Sequence, residues 1–239
     1  MAVIYKSETE AEYDAMGMVT GAGQSQSWAS SRLLVPPPGA FKITIVNTNT
    51  VQASAQFTAI GTSATDFRYR VHYDWTELTM GNGESFHSCQ IKTAASVPIS
   101  NIVPRRDSGG VYNMLCQSYN DAGAIVGNTV INYPRALRWF EVHVKKATTN
   151  VSSDAIFTYY VDTLAAPVVT HTGIDNYDNF ANIVIVKFGG VSDTGPIDAG
   201  TSGNIYIGKI LIRNDANPIG PFAASSDLDQ LTDLTSIRM

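Results

Sequence analysis

Apolar and polar residues alternate along most of the chain. Phe41–Asn47 reads FKITIVN, and the same period of two recurs in later segments. A two-residue period places successive side chains on opposite faces of a strand, so such runs predict half-buried strands. Strands are predicted over Arg32–Val35, Phe41–Asn47, Ala53–Ile60, Phe67–Tyr73, Phe86–Thr93, Val111–Tyr119, Ala124–Asn132, Arg138–Lys145, Ile156–Val161, Val168–Thr170, Ile183–Phe188 and Ile205–Arg213. Turn residues separate them, and Asn120-Asp121-Ala122-Gly123 between two apolar runs is a hairpin signal. Many short strands without intervening helices predict an all-β protein, an antiparallel sandwich or barrel.

The two ends break the alternation. Ser7 followed by Glu10 is a capping-box pattern and predicts a short helix over residues 6–18. Leu228, Leu231, Leu234 and Ile237 recur every third residue, giving the tail one apolar strip. The expected organisation is an N-terminal arm with a short helix at 1–30, one β domain at 31–222 and a C-terminal arm at 223–239. Tyr5, Met16, Met18, Leu228, Leu231, Leu234 and Ile237 are the expected assembly contacts of these arms.

Composition supports the β reading. The 239 residues include 20 Val, 20 Ile and 22 Thr against 10 Leu. These β-branched side chains suit a pleated sheet. The net charge is -5, concentrated in the two ends, and no basic stripe is present. Nucleic acid is therefore not an expected partner. No run approaches the 18 or so apolar residues of a spanning helix, so no membrane partner is expected. Cys89 and Cys116 lie in apolar runs and are expected to be buried free thiols. No cofactor and no metal site are expected. MAVIYKSETEAEYDAMG lacks a basic stretch followed by an apolar run, which predicts that no signal peptide is present.

Arg138-Trp139-Phe140-Glu141-Val142-His143-Val144 resembles the W-x-x-v-x-v strand of laminin-G-like, concanavalin A-like domains. Phe157-Thr158-Tyr159-Tyr160-Val161-Asp162 is similar to their Y-V-D-G strand. Ile183–Gly189, Gly203–Ile212 and Pro218-Ile219-Gly220 follow in the same order. Thr163 replaces the usual glycine, and Gly208-Lys209 replaces an Asp-Asp pair. The resemblance spans residues 137–221 and implies a jelly-roll sandwich of two antiparallel sheets. Its members include lectins, glycosidases, polysaccharide lyases and virion proteins, so fold alone does not choose a function.

No strand carries the E-x-D-x-x-E pattern of the glycosidases that share this fold. Against the R-T-E-L-R and Q-I-H strands of alginate lyases, Thr76-Glu77-Leu78 and Gln90-Ile91-Lys92 are short echoes that chance explains. Glu141 and His143 share a strand face and are expected to face solvent. Trp139 is expected in the core. Loop residues Asp175, Tyr177, Asp178, Asn179 and Asp193 have the chemistry of a sugar or Ca²⁺ site, although turns alone explain them. No catalytic residue is assigned. The favoured expectation is a non-enzymatic structural protein on a virion surface, a capsid decoration protein of a tailed bacteriophage, made in the host cytoplasm. Its expected partners are its own copies, other capsid or virion proteins, and host-surface glycans. The alternatives are a carbohydrate-binding module or adhesin, and a polysaccharide lyase or glycosidase.

Overall fold

In the computed structural model the structure describes residues 3–7, 11, 17–20, 25–29, 39–45, 51–56, 58–133, 135–191 and 200–219. Nearly all of them lie in or between strands. In chain order these are β1 (Val3–Ser7), β2 (Gly17–Thr20), β3 (Ser25–Ala29), β4 (Ala40–Ile45), β5 (Val51–Gln56), β6 (Asp66–Asp74), β7 (Leu78–Thr79) and β8 (His87–Thr93). They continue as β9 (Pro98–Arg106), β10 (Tyr112–Tyr119), β11 (Ile125–Asn132), β12 (Leu137–Lys145), β13 (Ala155–Val161) and β14 (Val169–Ile174). After one short helix, α1 (Tyr177–Phe180), come β15 (Ile183–Val191) and β16 (Ser202–Arg213).

Two antiparallel sheets face each other, as a two-sheet jelly roll requires. The nine-stranded sheet runs β14-β13-β12-β6-β16-β4-β3, with β1 and β7 also paired to β16. The seven-stranded sheet runs β11-β10-β9-β8-β15-β5-β2. Alternation decides what lies between them. Phe67, Tyr69, Val71 and Tyr73 of β6 are buried in the core with Phe140, Val142 and Val144 of β12. Cys89, Ile91, Ile102, Met114 and Val186 belong to the same cluster from the seven-stranded sheet. Trp75 stacks on Phe140 and meets Tyr133 edge-on, closing one end of the core. Cys89 and Cys116 are free and buried.

A polar clamp also joins the sheets. The Tyr159 hydroxyl lies 2.8 Å from Ser100 Oγ and 2.9 Å from Ser118 Oγ, and donates to the Gln117 carbonyl. His171 of β14 reaches across to Ser118 on β10 and Thr129 on β11, each at 2.9 Å. Its ring lies over Gly127, where an added Cβ would fall 2.3 Å from Nδ1. Gly127 thus provides the slot that the imidazole occupies.

Several expectations are corrected. Residues 1–30 are more than an arm. Within them β1 pairs with β16, β2 with β5 and β3 with β4. The helix expected over 6–18 begins and ends in strand: Lys6 and Ser7 are in β1, Gly17 and Met18 in β2, with Ala11 helical and the other positions outside the described residues. The strand expected over Arg32–Val35 also lies outside them, as do Met16, Leu228, Leu231, Leu234 and Ile237. Tyr5 and Met18 are described as backbone in β1 and β2, so they are sheet positions.

β9 is absent from the expected strands, and its Pro98 and Pro104 are residues that a central strand rarely holds. The structure accommodates both. Pro98 starts the strand, and Pro104 pairs with Met114 while its carbonyl accepts the Phe86 N–H. The Asn120–Gly123 hairpin forms as expected, with Gly123 at φ 72° and its N–H donating to the Asn120 carbonyl.

Candidate functional site on the seven-stranded sheet

The outward faces of the two sheets differ in kind. On the nine-stranded sheet, register sets Glu141 opposite Arg70, His143 opposite Arg68 and Trp139 opposite His72. Glu141 is not on a solvent face as expected: it is fully buried. Its carboxylate takes N–H bonds from Arg68 (2.8 Å), Arg70 Nε (3.2 Å) and the Ile219 backbone (3.1 Å), and pairs with Arg70 Nη2 at 2.9 Å. Arg68 Nη2 reaches His143 Nδ1 at 3.1 Å, and His143 Nε2 reaches Asp66 at 2.6 Å. Arginine only donates, so Nδ1 accepts and Nε2 carries the proton.

Burial, assisted by Arg68, lowers the His143 pKa against the pull of Asp66. Burial and then Arg70 lower that of His72 to about 4. Burial brings Arg70 down to about 10, with Glu141 opposing the shift. Trp139, expected in the core, instead lies under the Arg70 guanidinium at 3.8 Å. Cations and carboxylates on this face pair with one another, which is the behaviour of a structural network, although Arg68 Nε is buried with no hydrogen-bond partner among the described residues.

None of the seven strands of the other sheet contains an Asp or a Glu, yet together they hold Lys92, Arg105, Arg106 and Lys187. Across its outward face runs one row of cross-strand partners: Asn128, Gln117, Asn101, Gln90 and Lys187. Gln117, Asn101 and Gln90 are buried at 8%, 1% and 0% exposure. Asn101 Nδ2 donates to the Tyr119 hydroxyl at 2.6 Å, and Tyr119 donates to Gln117 Oε1 at 3.2 Å. Gln90 Nε2 lies 2.6 Å from His87 Nδ1. Asn101 Oδ1 is buried and has no hydrogen-bond partner among the described residues. Lys92, two residues beyond Gln90 on the same strand face, is also buried.

Among the described residues, amides, a phenol, an imidazole and ammonium groups meet here on strands that contain no carboxylate, an environment suited to an anion. Amides bind a carboxylate without adding charge, and the cations supply the field. Gln90 and Lys92 are the residues of the Gln90-Ile91-Lys92 echo. The other echo does not join them, because Glu77 Oε2 accepts from Asn204 and Tyr206 on the nine-stranded sheet.

The loop residues singled out from sequence gather around Asp121. Its carboxylate accepts the backbone N–H groups of Asp178 and Asn179, both at 2.9 Å, and its carbonyl accepts from Asn179 Nδ2. The Asp175 carbonyl accepts the Asp121 N–H. Lys146 sits 3.8 Å over the Tyr177 ring. These contacts join the β10–β11 hairpin to α1. Asp193 lies outside the described residues. Among those residues no group of three or more His, Cys, Asp or Glu is placed to hold a metal ion, and no helix is long and apolar enough to cross a membrane.

No family model and no curated protein sequence matches the chain. Solved structures do share its fold. A marine PL-14 alginate lyase from Aplysia kurodai superposes with a TM-score of 0.59 at 10% identity, over 90% of this chain and 100% of that one. The globular domain of Trypanosoma cruzi calreticulin gives 0.59 at 10% identity, over 99% and 92%. The alginate lyase vAL-1 from a Chlorella virus gives 0.54 at 9% identity, over 90% and 100%.

The fold is therefore that of alginate lyases and of a calreticulin domain. The expectation of a non-enzymatic, capsid-decorating phage protein is corrected: these neighbours include enzymes and none of the three is a capsid protein. That expectation leaned on the absence of linear catalytic motifs. The Asn128–Lys187 row comes from five strands, so no linear motif spans it.

Proposed function

We propose that the chain binds an acidic polysaccharide, a polyuronate, along the outward face of its seven-stranded sheet and cleaves it by β-elimination. The observation that carries this reading is the acid-free sheet with a buried amide row flanked by Lys92, Tyr119 and Lys187. The alginate lyases of similar fold support the substrate class. Elimination from a uronate needs three groups. One stabilises the carboxylate as charge builds on it, a base removes the proton beside it, and an acid protonates the leaving oxygen. Gln90 Nε2 and Asn101 Nδ2, through the second N–H of each amide beside those that meet His87 and Tyr119, are the carboxylate donors in this reading. Lys92 and Tyr119 are the proton-transfer pair. The C–H bond and the glycosidic C–O bond break, a C=C bond forms, and the chain leaves as an alcohol.

The test is calorimetric titration with alginate, polygalacturonate and neutral dextran, alongside ultraviolet detection of the unsaturated product. Alginate or polygalacturonate should bind, more weakly as salt rises, and dextran should not. Gln90→Ala and Lys92→Ala should each weaken binding roughly tenfold while melting stays cooperative. Equal affinity for dextran, or no polyuronate binding, refutes the reading. Binding without unsaturated product removes the elimination step and leaves a lectin.

A further inference from the structure

A cleft of about 230 Å³ opens on the side of the sandwich, between β11 and β13–β14. Ile131, Val161 and Val168 give it apolar surface, and Asn132, Tyr133, Arg138 and Asp162 give it polar groups. Tyr133 is 3% exposed, and its hydroxyl makes no hydrogen bond among the described residues. The ring is fixed by Trp75 at 4.9 Å and Phe140 at 5.3 Å, so the hydroxyl is held in place. Arg138 Nε is also buried without a partner.

Asp162 adopts φ 55°, an uncommon conformation for a residue with a side chain. In that pose its carboxylate accepts the Trp139 N–H at 3.0 Å and pairs with Arg138 Nη1. The carboxylate is thus engaged by the protein, and the ion pair is neutral overall. The polar groups left for a ligand are the Tyr133 hydroxyl, which donates and accepts, the Arg138 Nε–H, which only donates, and the exposed Asn132 amide, which does both.

A ligand that fits this lining is neutral beside the Arg138–Asp162 pair, carries hydroxyls that both donate and accept, and presents a C–H face to the valines. At about 30 Å³ per water the cleft holds roughly eight waters' worth of material, the scale of one sugar ring. We propose that this cleft binds a single neutral pyranose, its ring and hydroxyl oxygens accepting from Tyr133 and Arg138. The site is separate from the amide row, takes an uncharged residue, and stands or falls independently of the polyuronate reading.

The test is a nuclear magnetic resonance titration with the methyl glycosides of glucose, galactose and mannose, and with glucuronate. One neutral glycoside should give saturable shifts at the amides of residues 131–133, 161–162 and 168, with Kd on the order of 1 mM. Tyr133→Phe keeps the packing and removes the donor, so affinity should fall about tenfold. Val168, 43% exposed, tolerates bulk, and Val168→Trp should abolish the shifts. Polyuronate affinity should be unchanged in both variants. Absence of saturable shifts, wild-type affinity in Val168→Trp, or preference for glucuronate overturns the proposal.

Discussion

Replacing Glu141 by Gln tests whether the face of the nine-stranded sheet is a closed ionic network. The substitution keeps shape and removes one charge. Arg70 and Glu141 are fully buried, and Arg68 is 5% exposed. Arg70 is held charged against burial by this carboxylate. Gln leaves two guanidinium groups facing each other and an amide N–H₂ aimed at a donor.

Breaking one partner out of a buried ion pair costs about 3–5 kcal/mol, far above the value of an exposed pair. For a chain of this length that is a fall of roughly 6–20 °C in Tm. Scanning calorimetry and urea unfolding should agree on the loss. The triple variant Arg68→Met, Glu141→Leu, Arg70→Met should recover most of it, because none of the three charges that met at Glu141 then remains to be compensated. A Glu141→Gln cost below about 1 kcal/mol would refute the reasoning, since a value that small belongs to a solvated pair.

Further outcomes follow from the same contacts. His72 is held neutral with its pKa near 4 against 6.5. Between those values the unfolded chain binds the extra proton, so stability is full above about 6.5 and is lost as pH falls toward 4, by about 3 kcal/mol in all. His72→Gln should flatten that limb of the pH–Tm curve relative to wild type, and an unchanged limb would assign it elsewhere. Gly127→Ala should cost about 1–3 kcal/mol by driving a methyl into the His171 ring. Adding His171→Ala should make the alanine at 127 harmless, as measured by denaturant unfolding of the four variants. Burial pushes both the Cys89 and Cys116 thiols up. A chromogenic disulfide reagent should therefore titrate neither thiol until the protein unfolds.

How much of this was legible in the sequence depends on what each signal measures. Alternation reports burial on one side, and it located β6, β8, β10, β12 and β16 within a residue or three of their ends. It missed β9, whose Pro98 and Pro104 are residues that a central strand rarely holds. It misled at Trp139 and Glu141. Tryptophan read as core and glutamate read as surface, yet both lie on an outward face that is itself buried. The Asn120–Gly123 turn was legible because its chemistry is local. The amide row was not, because Gln90, Asn101, Gln117 and Asn128 meet only once strand order and register are known. The signal was nevertheless present, as the lack of any acid in the strands that form that sheet.

That lack makes the molecule a patchy colloid. Its net charge is -5, so two copies at long range repel. The acids near the seven-stranded sheet, such as Asp107, Asp121 and Asp175, sit in loops, whereas its strands carry Lys92, Arg105, Arg106 and Lys187 and no acid. At low ionic strength the rim of one copy is drawn to the face of another, and attraction at contact competes with repulsion at distance. The second virial coefficient should then rise with added salt, opposite to a uniformly charged sphere, because screening removes the oriented attraction. The same molecule should be retained by an anion exchanger through its rim and by a sulfonated resin through its face, whatever its isoelectric point.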